Sequence, residues 1–212
     1  MALGLGAGLL SATPAFVHPH VFAEARLDVV VEGGATVRSL KHLWRFDDLF
    51  SSTVLVEFDK NQDLKLDDAE LQEVAETVFA SLAEYDYFQL VAVDGKDVKM
   101  QPPATLIAQF IDNQLIILFE STPKEPLKLS GKVDFGVYDP TFYTAIDFLD
   151  DDNMAVEGLP ASCTRAVVRP DPDEAIAQNQ GSLTEEFFTD PSGTDLSKIF
   201  ATRLELTCAA QG

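Results

Sequence analysis

Two segments near the N-terminus alternate between apolar and polar residues, and a pair of glycines separates them. The segments are VFAEARLDVVVE (21–32) and ATVRSLKHLWRF (35–46), with Gly33 and Gly34 between them. This pattern predicts a β-hairpin. If the two glycines are the central turn residues, cross-strand partners have residue numbers that sum to 67, as 33 and 34 do.

This register assigns each side chain of the hairpin to a face. The mostly apolar face pairs Val29 with Arg38, and we expect it to lie on the core. His42 belongs to that face, and we interpret it as a hydrogen-bonded core histidine rather than a metal ligand. On the opposite, polar face the register puts His20 directly across from Asp47. The hairpin therefore predicts one apolar face that packs on the core and one polar face that carries candidate metal-binding side chains.

The spacing of apolar residues changes after the hairpin. In LDDAELQEVAETVFASLAEY (66–85) they recur at helical spacing with acidic residues between them, which predicts a helix–loop–helix inserted at about residues 47–85. The loop carries oxygen-bearing side chains at its first, third, fifth, ninth and twelfth positions, namely Asp59, Asn61, Asp63, Asp67 and Glu70. With the backbone carbonyl of Lys65, this is the ligand order of an EF-hand calcium loop.

One position of the loop departs from the calcium pattern. The sixth residue, normally a glycine that makes a sharp turn, is Leu64. A leucine with positive φ costs about 1 kcal/mol or more, so we expect calcium affinity to be weakened or lost. The alternative interpretation is an acidic turn in which Asp67 or Asp68 caps the following helix.

From Phe88 onward short apolar segments alternate with turn signals. Asp94-Gly95 and Asp112-Asn113 each separate two such segments, and RLELTC (203–208) is the last. Residues 171–200 are rich in proline and glycine, and we expect a loop with one or two short helices there. The prediction is an α+β fold, mainly antiparallel β, arranged as a sandwich or partly open barrel. Residues 18–212 would form one β-rich domain.

The net charge of the chain limits its possible partners, and its N-terminal segment indicates its cellular compartment. With 35 acidic and 15 basic residues the formal net charge is −20, which excludes a general nucleic-acid binder. Residues 1–17 contain no charged side chain and resemble a secretory signal peptide, which predicts a periplasmic protein; the alternative is a buried N-terminal segment. No later segment reaches the ~18 apolar residues of a membrane span, so we expect no transmembrane segment in the mature chain.

The two cysteines form an even pair. Cys163 and Cys208 are far from any histidine in sequence and no CxxC motif is present. In an oxidising compartment this favours one disulfide, worth about 3–4 kcal/mol by the loop-entropy model. The alternatives are a thiol catalyst and two unpaired buried thiols.

A transition-metal site is predicted at the start of the mature chain. Cleavage after Val17 would make His18 the first residue, and its α-amine and imidazole could then chelate one ion. His20 has the same strand parity, and the predicted register brings Asp47 to the same place. Two imidazoles, an amine and a carboxylate suit Zn²⁺, Ni²⁺, Co²⁺ or Cu²⁺, with Asp48 or Glu24 as a substitute or supporting group. The alternative is an exposed, disordered N-terminal flank.

Four motifs together resemble a known family. They are HPHVF (18–22), WRFDDLFS (44–51), FDKNQD (58–63) and YDPTFY (138–143). The chain resembles the periplasmic family catalogued as domain of unknown function number one thousand and seven, from His18 to about Phe148. The resemblance implies an accessory role in transition-metal handling beside nickel/cobalt-type metal transporters.

Three hypotheses about function follow. The first is a periplasmic metal-binding accessory protein whose partner is a membrane metal transporter. The second is a calcium-stabilised interaction module, and the third is the solute-binding component of an ABC-type transporter. No phosphate-binding glycine loop, GxSxG or HExxH motif is present, so we do not expect an enzyme. Asp139, which precedes a proline, is interpreted as a turn residue.

Overall fold

The computed structural model describes residues 19–181, 183 and 196–209. The predicted signal peptide (1–17) and His18 lie outside the described residues, as does much of the predicted 171–200 loop. The strands are β1 (Val21–Glu32), β2 (Thr36–Phe46), β3 (Gln89–Val93), β4 (Lys96–Asp97), β5 (Leu106–Ile111), β6 (Gln114–Ser121), β7 (Leu127–Lys128), β8 (Gly131–Val137), β9 (Thr144–Asp147), β10 (Met154–Glu157), β11 (Cys163–Val168) and β12 (Arg203–Cys208). The helices are α1 (Asp48–Phe58), α2 (Asp68–Ala83) and α3 (Pro172–Asn179).

The strands form two sheets that share one apolar core. The first sheet has the order β10-β1-β2-β6-β5, with β7 also paired to β2 and β9 to β1. The second has the order β11-β12-β8-β3-β4. All pairs are antiparallel except those of β1 with β9 and β10. The predicted α+β class with a mainly antiparallel sandwich is confirmed, and neither sheet closes into a barrel.

The register of the first hairpin differs from the prediction. Leu27 pairs with His42, so partner numbers sum to 69 and not 67 over most of the ladder. The reason is the turn, which contains Ala35 as a third residue after the two glycines, together with a bulge between Val30 and Val31. A shift of two keeps side-chain parity, whereas the bulge reverses it near the turn.

The effect of the bulge is visible next to the turn. Val37 is buried, while Arg38, predicted to face the core opposite Val29, is exposed and pairs with Glu32 at 2.8 Å. Farther along, Trp44 and Phe46 lie in the core as predicted. The polar and apolar faces were thus assigned correctly only where the shift in register was an even number.

His42 lies in the core, as predicted, but without the predicted hydrogen bond. Its ring stacks on Phe119 at a centroid distance of 4.3 Å, and neither ring nitrogen has a partner within the described residues. Burial alone lowers its pKa from 6.5 to about 3. The imidazole is therefore neutral at physiological pH and functions as an aromatic core residue.

The helix–loop–helix packs beside the first sheet. The buried hydroxyl of Ser51 on α1 accepts a hydrogen bond from the Leu115 backbone of β6 at 2.9 Å. Apolar residues of α2, including the fully packed Val74, join the core cluster. None of the helices in the described residues has the length and apolar character that a membrane span needs.

Candidate functional site

The loop between α1 and α2 has the backbone shape that its sequence pattern requires. Leu64 adopts φ 63°, the left-handed conformation in which an EF-hand loop uses glycine, and Gln62 adopts φ 62°. Leu64 is 76% exposed, so its side chain gains little from packing in return for this conformation. The sharp turn is therefore present despite the substitution of glycine by leucine.

Hydrogen bonds inside the loop hold the predicted ligands in place. Asp59 accepts from the backbone N–H of Asp63 at 3.1 Å and of Leu64 at 2.8 Å. Asn61 and Asp63 accept from backbone N–H groups two residues further on, each at 2.9 Å. A carboxylate has about four acceptor positions, so these bonds leave lone pairs for a cation.

The last two predicted ligands close the loop as a helix cap. Asp67 accepts from the N–H groups of Ala69 and Glu70 at the start of α2. The buried carboxylate of Glu70 accepts from the Asp67 N–H at 2.9 Å and from the Lys60 N–H at 2.8 Å. The alternative interpretation of the acidic turn is thus correct for Asp67, and Glu70 joins the beginning of the loop to its end.

The donor set suits one kind of cation. Carboxylate, amide and carbonyl oxygens at Asp59, Asn61, Asp63, Lys65 and Glu70 are hard ligands of the type that Ca²⁺ prefers. No three His, Cys, Asp or Glu side chains in the described parts of the chain are grouped so that they could hold a metal ion. Each oxygen of Glu70 already accepts one backbone N–H, so coordination by both oxygens would use the second lone pair of each.

The predicted N-terminal site is only partly within the described residues. His18 lies outside them. His20 is exposed, its backbone N–H donates to the Tyr143 carbonyl at 2.9 Å, and its ring lies 5.2 Å from the Tyr143 ring. Because β9 lies parallel to β1, residues more than 120 positions apart in sequence (20 and 143) meet here. No local sequence signal could have identified Tyr143 as the neighbour of His20.

Asp47 does not lie across from His20. Its backbone and side chain both bond to Phe22, with the Phe22 N–H donating to Oδ2 at 2.8 Å. The other oxygen, Oδ1, accepts from the Phe50 N–H at 2.9 Å and caps α1. The predicted His20–Asp47 pairing is wrong because the three-residue turn and the bulge between Val30 and Val31 together move the ladder by two positions. Of the two supporting acids, Glu24 lies opposite Arg45, and Asp48 begins α1.

Two further sequence predictions have clear outcomes. Cys163 and Cys208 form a disulfide between the paired strands β11 and β12, as predicted. The buried carboxylate of Asp139 accepts from the N–H groups of Thr141 and Thr144 at 2.7 and 2.8 Å. Asp139 is therefore a turn residue, in agreement with its interpretation from sequence.

Comparison with known proteins identifies the family. No curated protein matches the chain. A family match extends over residues 3–208, which is most of the sequence and includes both the hairpin and the acidic loop. The chain belongs to the family described as "Protein of unknown function (DUF1007)".

Proposed function

We propose that this protein is a calcium-stabilised interaction module of the periplasm, a binding protein and not an enzyme. The observation that carries the proposal is the left-handed backbone of Leu64 at the sixth loop position, between side chains in EF-hand order. A non-glycine residue holds this conformation at a cost of about 1–2 kcal/mol, which is retained only where the surrounding structure requires it.

The chemistry of the loop favours calcium over a transition metal. All of its side-chain donors are oxygens, and imidazole and thiolate, the ligands that select Zn²⁺, Ni²⁺ or Cu²⁺, are absent from residues 59–70. Bringing several carboxylates together costs electrostatic energy in a chain of net charge −20. A bound divalent cation would offset that repulsion.

Calcium would act on stability because the loop joins two packed helices. Asp59 follows α1, whose Ser51 is bonded to β6, and Glu70 lies in the first turn of α2, which packs against β5. An ion held by both ends would couple the helices to the edge of the first sheet. The disulfide is compatible with an oxidising compartment, which supports the periplasmic part of the proposal.

The test is the melting temperature of the exported, processed protein after chelation and again with added calcium. At one hundred times the dissociation constant, calcium should add about 2.7 kcal/mol of stability. Asp59→Ala should abolish the calcium-dependent rise, whereas Asp68→Ala, an exposed acid of α2 outside the ligand order, should keep it. If calcium does not raise the melting temperature of the parent protein, the proposal fails.

A transition-metal accessory role for a membrane metal transporter is the second candidate. His20 favours it, because an exposed imidazole is held by a backbone hydrogen bond directly before β1. If processing exposes His18, its amine and imidazole would supply the remaining nitrogens. Binding of Ni²⁺, Zn²⁺ and Cu²⁺ should be compared between protein that starts at His18 and protein with one extra N-terminal residue. Equal affinity of the two forms would exclude chelation by the amine.

A further inference from the structure

A cleft at the C-terminal end of α2 is not used by either proposed function. It has a volume of about 400 Å³, and its walls include Glu84, Tyr85, Asp86, Lys99 and Tyr138. We call it the helix-end cleft. Its volume is within the range of sites for small organic molecules, roughly 300–1,000 Å³, and is much larger than a metal ion needs.

The end of α2 concentrates negative charge at this cleft. A helix carries about −0.5 elementary charge at its C-terminus, where basic residues are normally favourable. Here the last turn of α2 has no basic residue, the cap is Glu84, and Asp86 follows two positions later. Local electrostatics is thus unfavourable for the fold at this point and favourable for a cation.

The other charges of the cleft do not cancel this potential. Lys198 is paired with Asp97 at 3.2 Å, so these two side chains neutralise each other. Among the described residues of the wall, Lys99 is then the remaining basic side chain against Glu84 and Asp86. The cleft therefore has a net negative lining and attracts cations.

A left-handed turn lies beside the acidic residues and the aromatic ring of the cleft. Asp86, Tyr87 and Phe88 have φ values of 49°, 56° and 57°, three consecutive residues in the left-handed region. Tyr87 and Phe88 are buried, and Phe88 packs on Trp44 at a ring distance of 5.9 Å. Because both aromatic side chains are anchored in the core, the neighbouring Tyr85, 39% exposed, stays at the cleft.

We propose that the helix-end cleft binds a small organic cation with an alkylammonium group. Two tyrosines, Tyr85 and Tyr138, line the cleft, and contact with a tyrosine ring face attracts a cation by roughly 0.5–2 kcal/mol according to its desolvation. Glu84, Asp86 and the helix end supply the negative potential. An inorganic ion is disfavoured because the volume of about 400 Å³ is much larger than such an ion needs.

The test is calorimetric titration of the processed protein, free of calcium, with choline and with its neutral isostere, in which a tert-butyl group replaces the trimethylammonium group. Choline should bind about tenfold more tightly than the isostere, because only the charged compound uses the cation–π and carboxylate contacts. Equal affinity, or no binding of choline, would overturn the proposal. Omitting calcium makes the outcome independent of the acidic loop.

Two pairs of variants locate the binding. The double variant Glu84→Gln, Asp86→Asn should lower the affinity for choline about three- to tenfold. The same charge change at Glu125 and Asp152, which do not line the cleft, should leave the affinity unchanged. Tyr85→Phe should keep affinity and Tyr85→Leu should lose it, because only phenylalanine retains the ring face. Unchanged melting temperatures verify folding, and equal affinities across these variants would contradict the assignment.

Discussion

Leu64 occupies a backbone conformation that is rare for leucine and ordinary for glycine. Its φ of 63° is held by the Leu64 N–H, which donates to Asp59 at 2.8 Å, while its side chain is largely in water. The strain is therefore offset by hydrogen bonding within the loop and not by packing of the Leu64 side chain. At this position the sequence departs from the calcium pattern, whereas the backbone follows it.

Replacing Leu64 by glycine should stabilise the protein. Relief of about 1–2 kcal/mol of left-handed strain is at least as large as the ~0.5–1 kcal/mol entropic cost of a glycine, so we expect a net gain of up to about 1.5 kcal/mol. Urea unfolding in chelator measures it. Leu149→Gly, at an exposed leucine outside the left-handed region, should lose stability instead. Equal losses in both variants would refute the strain argument.

His42 makes stability depend on pH. Its pKa is about 3 in the fold and near 6.5 when unfolded, so between these values the unfolded state binds more protons. Stability should fall as pH is lowered from 6.5, by up to about 1.4 kcal/mol per unit. Burial raises the pKa of Asp134. The contribution of this carboxyl to stability therefore decreases as the pH rises through the range in which it titrates, opposite to the effect of His42.

His42→Phe isolates the contribution of the histidine. Phenylalanine keeps the stack on Phe119 and has no titratable group, so the loss of stability between pH 8 and pH 5 should be smaller by roughly 2 kcal/mol than in the parent protein. Asp134 contributes equally to both proteins. An identical pH dependence in the two proteins would mean that folding does not lower the pKa of His42.

At the scale of elements, the junction of β2 with α1 depends on Asp47. One oxygen caps the helix through Phe50 and the other accepts from Phe22 of β1. A single carboxylate thus joins a strand, a helix N-terminus and a neighbouring strand. This role is independent of the metal chemistry that the sequence suggested for Asp47.

Removal of the Asp47 side chain should destabilise the fold. Asp47→Ala leaves the Phe50 and Phe22 N–H groups without their acceptor, and we expect a loss of about 1–2 kcal/mol in chemical unfolding. Asp48→Ala, which changes the same charge in the first turn without removing the cap, should cost less than about 0.5 kcal/mol. Equal effects would indicate that charge, and not capping, is what matters.

At the scale of the whole molecule, the second sheet depends on chain segments that are distant in sequence. β12 lies between β8 and β11, and the disulfide joins β11 to β12 across 45 residues. The bond restricts the unfolded chain without adding any strand pairing. The disulfide should therefore stabilise the protein mainly by lowering the conformational entropy of the unfolded chain.

Loss of the disulfide should cost about 3–4 kcal/mol by the loop-entropy model. Cys163→Ser with Cys208→Ser should lower the urea midpoint, and the parent protein in reducing agent should resemble this variant. Reducing agent should leave the variant itself unchanged. A parent protein that unfolds at the same urea concentration with and without reduction would contradict the predicted contribution.

The sequence by itself determined the kinds of local structure. Period-two alternation predicted the hairpin, helical spacing predicted α2, and acidic residues in a fixed order predicted the loop from Asp59 to Glu70. These patterns are readable because neighbouring residues along the chain are also neighbours in a strand, helix or loop. The pairing of Cys163 with Cys208 was predictable because no other cysteine exists.

Only the tertiary structure decided how these pieces meet. A third residue in the turn and a bulge in the ladder together moved Asp47 from His20 to Phe22, and the parallel pairing of β9 with β1 brought Tyr143 to His20. The left-handed turn beside the helix-end cleft includes Tyr87 and Phe88, and the side chains of both are buried. Register, long-range pairing and strain depend on the packing of the whole core, which no short segment encodes.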